Sequence, residues 1–293
     1  MSKRSFLSGV LAVSIFAMLA GVVICDEIET AGQKIMSSNE NAVIWVRLVI
    51  NQKMVMNGVQ MQQQETKSEV VGTIVDPSGL TLVSLSGTNP SEIMKSIMEQ
   101  SSGREDMKFE MNSDLGEIKM VLSDGTEIPA KVVLRDKDWD MAFLRPIERQ
   151  ANPLPFVDLA TSYSPKILEE VFIVDRMGKT MNNSPSISIF RVKAIANRPR
   201  TFFSVEGETS FGSPVFSKDG KIIGINLMRF MKTGGGGLGM GAMLGGKNSL
   251  GIQGIILPAS YILDASKQAA TATGTEAENP DKKDNPDSKK ENK

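Results

Sequence analysis

Short apolar, β-branched runs closed by tight-turn residues recur along this chain, and that rhythm limits it to a β-rich fold. Six of them stand in the first half: "AVIWVRLVI" (Ala42–Ile50), "EVVGTIVD" (Glu69–Asp76), "LTLVSLS" (Leu80–Ser86), "GEIKMVLS" (Gly116–Ser123), "EIPAKVVLR" (Glu127–Arg135) and "DMAFLR" (Asp140–Arg145). Six more follow a Pro-bearing stretch: "EEVFIVDRMG" (Glu169–Gly178), "SISIFRVKAIA" (Ser186–Ala196), "TFFSVE" (Thr201–Glu206), "SPVFS" (Ser213–Ser217), "KIIGINL" (Lys221–Leu227) and "LGIQGIILP" (Leu250–Pro258). Runs of this length, punctuated by "DPSG" and "SDGT", read as strands of barrels or sandwiches joined by hairpins. The predicted fold class is all-β, with two β-barrels over 42–145 and 169–270, a linker over 146–168, and a helix over Ala259–Ala270 that closes the second barrel.

The remaining segments are organised around these barrels. Lys3 and Arg4 precede an apolar run from Phe6 to Ile24, with acidic residues directly after Cys25. Residues 1–25 therefore read as a signal peptide or a membrane anchor, and acylation at Cys25 is a third reading. Each places the domain outside the cytoplasm, in a periplasm or cell envelope. Residues 26–41 are expected to form a short helical spacer. Two insertions, Thr88–Asp114 and the Gly/Met-rich stretch Met228–Asn248, interrupt the strands. The last segment, 271–293, mixes both charges without large apolar anchors and is expected to be a disordered tail.

The composition closes off several kinds of chemistry. The 293 residues contain no histidine and one cysteine. A His-based acid–base centre, an intramolecular disulfide and a Cys/His metal site are thereby excluded. No cofactor and no metal are expected. A formal net charge of −1 gives no electrostatic footing for nucleic acid. A membrane partner is expected only through the N-terminal segment, and oligomerisation is left open.

Three motifs appear in order. The first is "GTIVDPSGLTLVSLSGT" (72–88), the second "LSDGTEIPAKVVLRDKDWDMAFL" (122–144), the third "TSFGSPVFSKDGKIIGIN" (209–226). From Glu69 to Leu263 they resemble the protease domain of HtrA/Deg-type trypsin-like serine proteases, without a following PDZ-like segment. The resemblance implies a trypsin-like double β-barrel. It puts Ser86 where the catalytic histidine belongs, Asp140 on the triad aspartate and Phe211 on the nucleophile. Thr209 and Ser213 stand on glycines that flank the nucleophile, and Gly212 on a retained one.

A serine nucleophile needs a neighbouring base that takes its proton and returns it to the leaving amine. Ser86 has no basicity to offer, and Phe211 has no attacking atom. The expectation is a proteolytically inactive homologue that binds a protein or peptide without cutting it. Phe211, Gly212, Ser213, Met228 and Met231 are the candidate binding residues. Asp140 is expected to accept hydrogen bonds from Ser86 or nearby amides, or else to be solvated. Two further readings stand beside this one: an active endopeptidase with a non-standard site, such as Ser210 or Ser213 with Lys218 or Lys221, and a purely structural envelope domain. Phe211 either fills the space of the lost cleft or lines an apolar groove. Met228, Met231, Met240 and Met243 read as loosely packed methionines of a mobile loop, as an adaptable apolar contact surface or, as a minor alternative together with Met54, Met56 and Met61, as soft Cu(I) ligands. Trp139 is read as a core or rim residue beside Asp140, and "RDKDWD" (135–140) as a solvated strand edge.

Overall fold

The computed structural model describes residues 27–56, 59–61, 63–89, 109–198, 200–207, 209–230 and 252–272. The N-terminal segment, most of the first insertion, the Gly/Met-rich stretch with Met231, Met240 and Met243, and the tail beyond 272 lie outside the described residues.

A helix, α1 (27–39), leads into β1 (Val43–Met56). The strands β2 (Val59–Gln60), β3 (Gln64–Ile74) and β4 (Thr81–Ser84) follow, then a single helical turn, α2 (Leu85–Thr88). Beyond the insertion come β5 (Phe109–Val121), β6 (Glu127–Asp136) and β7 (Met141–Pro146). All pairings are antiparallel, in the order β2-β1-β3-β4-β7-β6-β5, and pairing of β1 with β5 closes the sheet into a six-stranded barrel. The alternation along β1 explains the closure. Ile44, Val46, Leu48 and Ile50 point into the barrel, where they meet Ile74, Val83, Met120 and Leu144.

The second barrel comprises β8 (Glu170–Arg176), β9 (Pro185–Ala196), β10 (Phe202–Val205), β11 (Pro214–Ser217), β12 (Ile222–Phe230) and β13 (Ile252–Pro258), closed in the order β10-β13-β12-β11-β8-β9. Val171, Ile173, Val192, Phe203, Val215, Ile223 and Ile256 fill it. The helix α3 (Ala259–Thr271) follows β13 directly. Arg145 of β7 holds its C-terminal end by donating to the carbonyls of Ala269 (2.7 Å) and Ala270 (2.8 Å). This is a double β-barrel with a C-terminal helix.

A third apolar cluster joins the two barrels, with Val43, Leu82 and Phe143 from the first and Phe172, Phe216 and Leu257 from the second. Arg176 stitches the same seam. Its guanidinium is buried and donates to the carbonyls of Val43, Glu40 (2.7 Å) and Asn183 (3.2 Å). The Trp45 indole N–H reaches the Met177 carbonyl at 3.2 Å.

Several local expectations change in the folded protein. The helix expected as a spacer is docked on the second barrel: Ile35 is buried in the shared core, Gly32 lies over Phe172, and Glu27 pairs with Lys218 at 3.0 Å. The run "LTLVSLS" does not stay extended to its end, because β4 stops at Ser84 and Ser86 sits in the turn α2. Nor is "RDKDWD" a solvated edge throughout. The strand ends at Asp136, and Trp139 and Asp140 turn inward and are buried. Strand β5 starts at Phe109, inside the stretch expected as an insertion.

Candidate functional site

The turn before β7 sets the site. The Asp136 carboxylate accepts the backbone N–H groups of Asp138 (3.0 Å) and Trp139 (3.2 Å), which curls the backbone round after β6. Asp140 then takes φ 55, in the left-handed region that aspartate tolerates better than most side chains. Its carbonyl accepts the N–H of Leu85 at 2.8 Å and its neighbour Met141 pairs with Ser84, so Asp140 faces α2.

Four donors converge on the Asp140 carboxylate. Ser84 Oγ donates to Oδ2, and Ser86 donates to Oδ1 through both its hydroxyl and its backbone N–H (2.6 Å). The fourth comes from the other barrel: the Met228 N–H lies 3.0 Å from Oδ2. No cation is among them. Burial lifts the Asp140 carboxyl above its usual range, outweighing the hydrogen bonds that favour the anion.

The turn Thr209–Ser213 lies across the seam. Gly212 has φ 99, and a Cβ placed on it would stand 2.1 Å from the Val71 carbonyl oxygen, so only glycine fits. Its carbonyl accepts the Thr73 hydroxyl at 2.6 Å, and its N–H donates to the Asn226 carbonyl at 2.7 Å. Ser210 gives its N–H to the Asp175 carboxylate at 3.1 Å, and the Asn226 amide donates to the Ser210 carbonyl at 3.0 Å. Ser213 is fully buried, and its hydroxyl has no hydrogen-bond partner among the described residues.

Ser86 and Asp140 are thus in direct contact, whereas Phe211 approaches through an intermediary. Its half-buried ring edge lies over Gly254, where a Cβ would stand 3.6 Å from Cε1. Gly254 pairs with Met228, the residue whose N–H holds Asp140. The candidate serine–lysine pairs are not assembled. Lys218 is half-exposed and bound to Glu27, and Lys221 is exposed in the same hairpin. Among the described residues no cluster of His, Cys, Asp or Glu is placed to hold a metal ion.

Sequence reasoning missed Ser84 and the Met228 amide. Ser84 had a signal, since it shares the alternation of Ser86 within an otherwise apolar run. A backbone amide such as that of Met228 leaves no trace in residue type.

Residues 108–225 match the trypsin-like peptidase domain family. A probable periplasmic serine endoprotease, DegP-like, from Pseudomonas fulva (strain 12-X) is 28% identical over 138 residues, which cover 42% of this chain and 26% of the relative. Over residues 108–225 the chain is similar to trypsin-like peptidase domains. It spans about a quarter of that curated relative's length. The MamO protease domain from Magnetospirillum magneticum, in its apo form, is similar at 16% identity with a TM-score of 0.43, covering 78% of this protein and 97% of that one. Among the described residues no helix is long and apolar enough to cross a membrane.

Proposed function

We propose that this trypsin-like domain is exported and holds a protein or peptide non-covalently in the cell envelope without cleaving it. The observation that carries this reading is the Asp140 carboxylate. The proton donors around it are two serine hydroxyls and two backbone amides, and no base stands between it and the position of the nucleophile. With no histidine in the sequence and Phe211 at that position, the two-proton relay of acyl transfer has neither its carrier nor its attacking oxygen. The turn that carries Phe211 is tightly built, with Gly212 close against β3 and the Thr73 hydroxyl bonded to its carbonyl. Export is supported by the basic, then apolar N-terminus and by the periplasmic naming of the DegP-like relative.

Purified protein should neither react with a fluorophosphonate probe nor release fragments from casein, while retaining unfolded or extended polypeptide in a cross-linking assay. Labelling of any serine, abolished by its replacement with alanine, would establish a peptidase instead. Folded protein that captures no polypeptide would leave a structural envelope domain.

A further inference from the structure

A second cluster lies beside Asp140 and Met228: Trp139 precedes Asp140 in the turn before β7, and Arg229 follows Met228 on β12. The Arg229 guanidinium stands 5.0 Å from the centroid of the Trp139 ring and 5.1 Å from that of Phe202, between two aromatic side chains. Arg200 approaches the same indole, at 5.5 Å. Trp139 is buried, so it is a fixed wall rather than a mobile flap. Cation–π attraction favours each arginine singly. It does not remove the repulsion between two positive groups gathered at one ring.

Several exposed cations elsewhere answer to acids: Arg47 to Glu69 and Glu127, Lys119 to Glu117 and Glu127, Arg191 to Glu170, Lys218 to Glu27. Among the described residues, Arg200 and Arg229 form no ion pair with an acidic side chain. Arg229 Nη1 is shielded from solvent and has no hydrogen-bond acceptor among those residues. A charged donor in that condition is costly until an acceptor arrives, because it has lost water and gained no partner.

We propose that Arg200 and Arg229, backed by Trp139 and Phe202, form a carboxylate-binding site that recognises acidic positions of the polypeptide held by this domain. The proposal rests on the non-covalent holding function given above and names the chemistry of what is held. A carboxylate is planar and offers two acceptor oxygens that match the guanidinium fork. It would satisfy Nη1 and neutralise the pair at the same time. The site adjoins the Asp140–Met228 link. The carboxylate has two sources, an Asp or Glu side chain and a polypeptide's own C-terminus.

Three labelled hexapeptides separate the outcomes by fluorescence anisotropy with the full-length protein. They are hexaglutamate blocked at both ends, hexa-alanine with a free C-terminal carboxylate, and hexa-alanine blocked at both ends. Binding of either carboxylate-bearing peptide at least about tenfold tighter than the blocked neutral one is expected, with the stronger of the two naming the source. Arg229→Gln and Arg200→Gln should each remove about tenfold of that preference, with urea midpoints close to the parent protein. Arg229→Lys should restore only part of it, because an ammonium lacks the planar fork. If all three peptides bind equally, or if the glutamine variants keep the preference, the carboxylate site is wrong and the holding function stands. If inorganic phosphate competes as well as the acidic peptide, the carboxylate assignment fails. If no peptide binds while unfolded polypeptide is still retained in the cross-linking assay, the carboxylate site is wrong and the holding function stands; if neither is held, both readings fall.

Discussion

Met228 donates its backbone N–H to the Asp140 carboxylate at 3.0 Å, so a strand of the second barrel is tied to a buried acid of the first. The acid is held by hydrogen bonds alone, and its removal should be felt as lost stability rather than lost catalysis. Asp140→Ala leaves four donors without an acceptor and puts a Cβ-bearing residue without a polar side chain at φ 55. A loss of about 3 kcal/mol is expected in urea unfolding. Asp140→Asn keeps one acceptor oxygen and tolerates the same backbone, so about 1–2 kcal/mol is expected.

The same carboxyl gives a pH signature with a defined sign. Burial raises its pKa in the folded state above the ordinary value of 3.8, so folded protein holds the proton more tightly than the unfolded state does. The stabilisation from that proton is complete below about pH 3.8 and is lost as pH rises through the folded-state value. Urea unfolding of the parent protein and of Asp140→Asn at a series of pH values should therefore show the parent losing ground to the variant as pH rises from about 4. A gap that widens in the parent's favour over that window would contradict the assignment.

On the proposed non-covalent function, a hydroxyl placed at position 211 should not bring cleavage. Phe211→Ser supplies a hydroxyl but no base, since Ser86 is engaged with Asp140 and the sequence holds no imidazole. Casein turnover by Phe211→Ser should match the buffer blank. The double variant Ser86→His/Phe211→Ser should also stay at the blank, because the Ser210 N–H beside it is committed to Asp175.

Gly212 should be the most intolerant position of the turn. Gly212→Ala forces a Cβ to within 2.1 Å of a β3 carbonyl at φ 99, so the turn must leave β3 or the barrels must part. A loss above about 3 kcal/mol is expected, near the upper range for single substitutions. Thr73→Val removes only the hydroxyl that reaches the Gly212 carbonyl, and about 1–2 kcal/mol should follow. Thermal unfolding of both variants gives the ranking.

Much of this arrangement is legible in residue order. Turn residues and β-branched runs give the two barrels, and the spacing of three motifs puts Ser86 and Asp140 on neighbouring elements, where they touch. What escapes is whatever depends on backbone groups or on partners distant in sequence. Nothing in "NLMRF" announces that the Met228 amide faces an acid or that Arg229 lies between Trp139 and Phe202. The docked helix α1 is an intermediate case. Ile28 and Ile35 fall one heptad apart, with Ala31 and Gly32 between them, and that apolar face has a seat only because Phe172 is there. Ile35→Ala should accordingly cost about 2–3 kcal/mol, a loss that a free spacer would not show.

Arg176 provides the last test, because it separates a polar clamp from an ordinary surface charge. Its guanidinium is buried at the seam and serves three carbonyls, those of Glu40 and Val43 at the entrance to the first barrel and that of Asn183 in the second. Burial lowers its pKa, yet an arginine stays charged at any ordinary pH, so the clamp should not titrate. Arg176→Met leaves the three carbonyls without their donor, and about 3 kcal/mol should be lost in urea unfolding. Arg176→Lys brings one compact ammonium where a fork spanned three acceptors, and it should recover less than half of that loss. Hydrogen exchange gives the spatial readout. Amides at the start of β1 should exchange faster in Arg176→Met, while those of β11 and β12, away from the clamp, keep their protection relative to global stability.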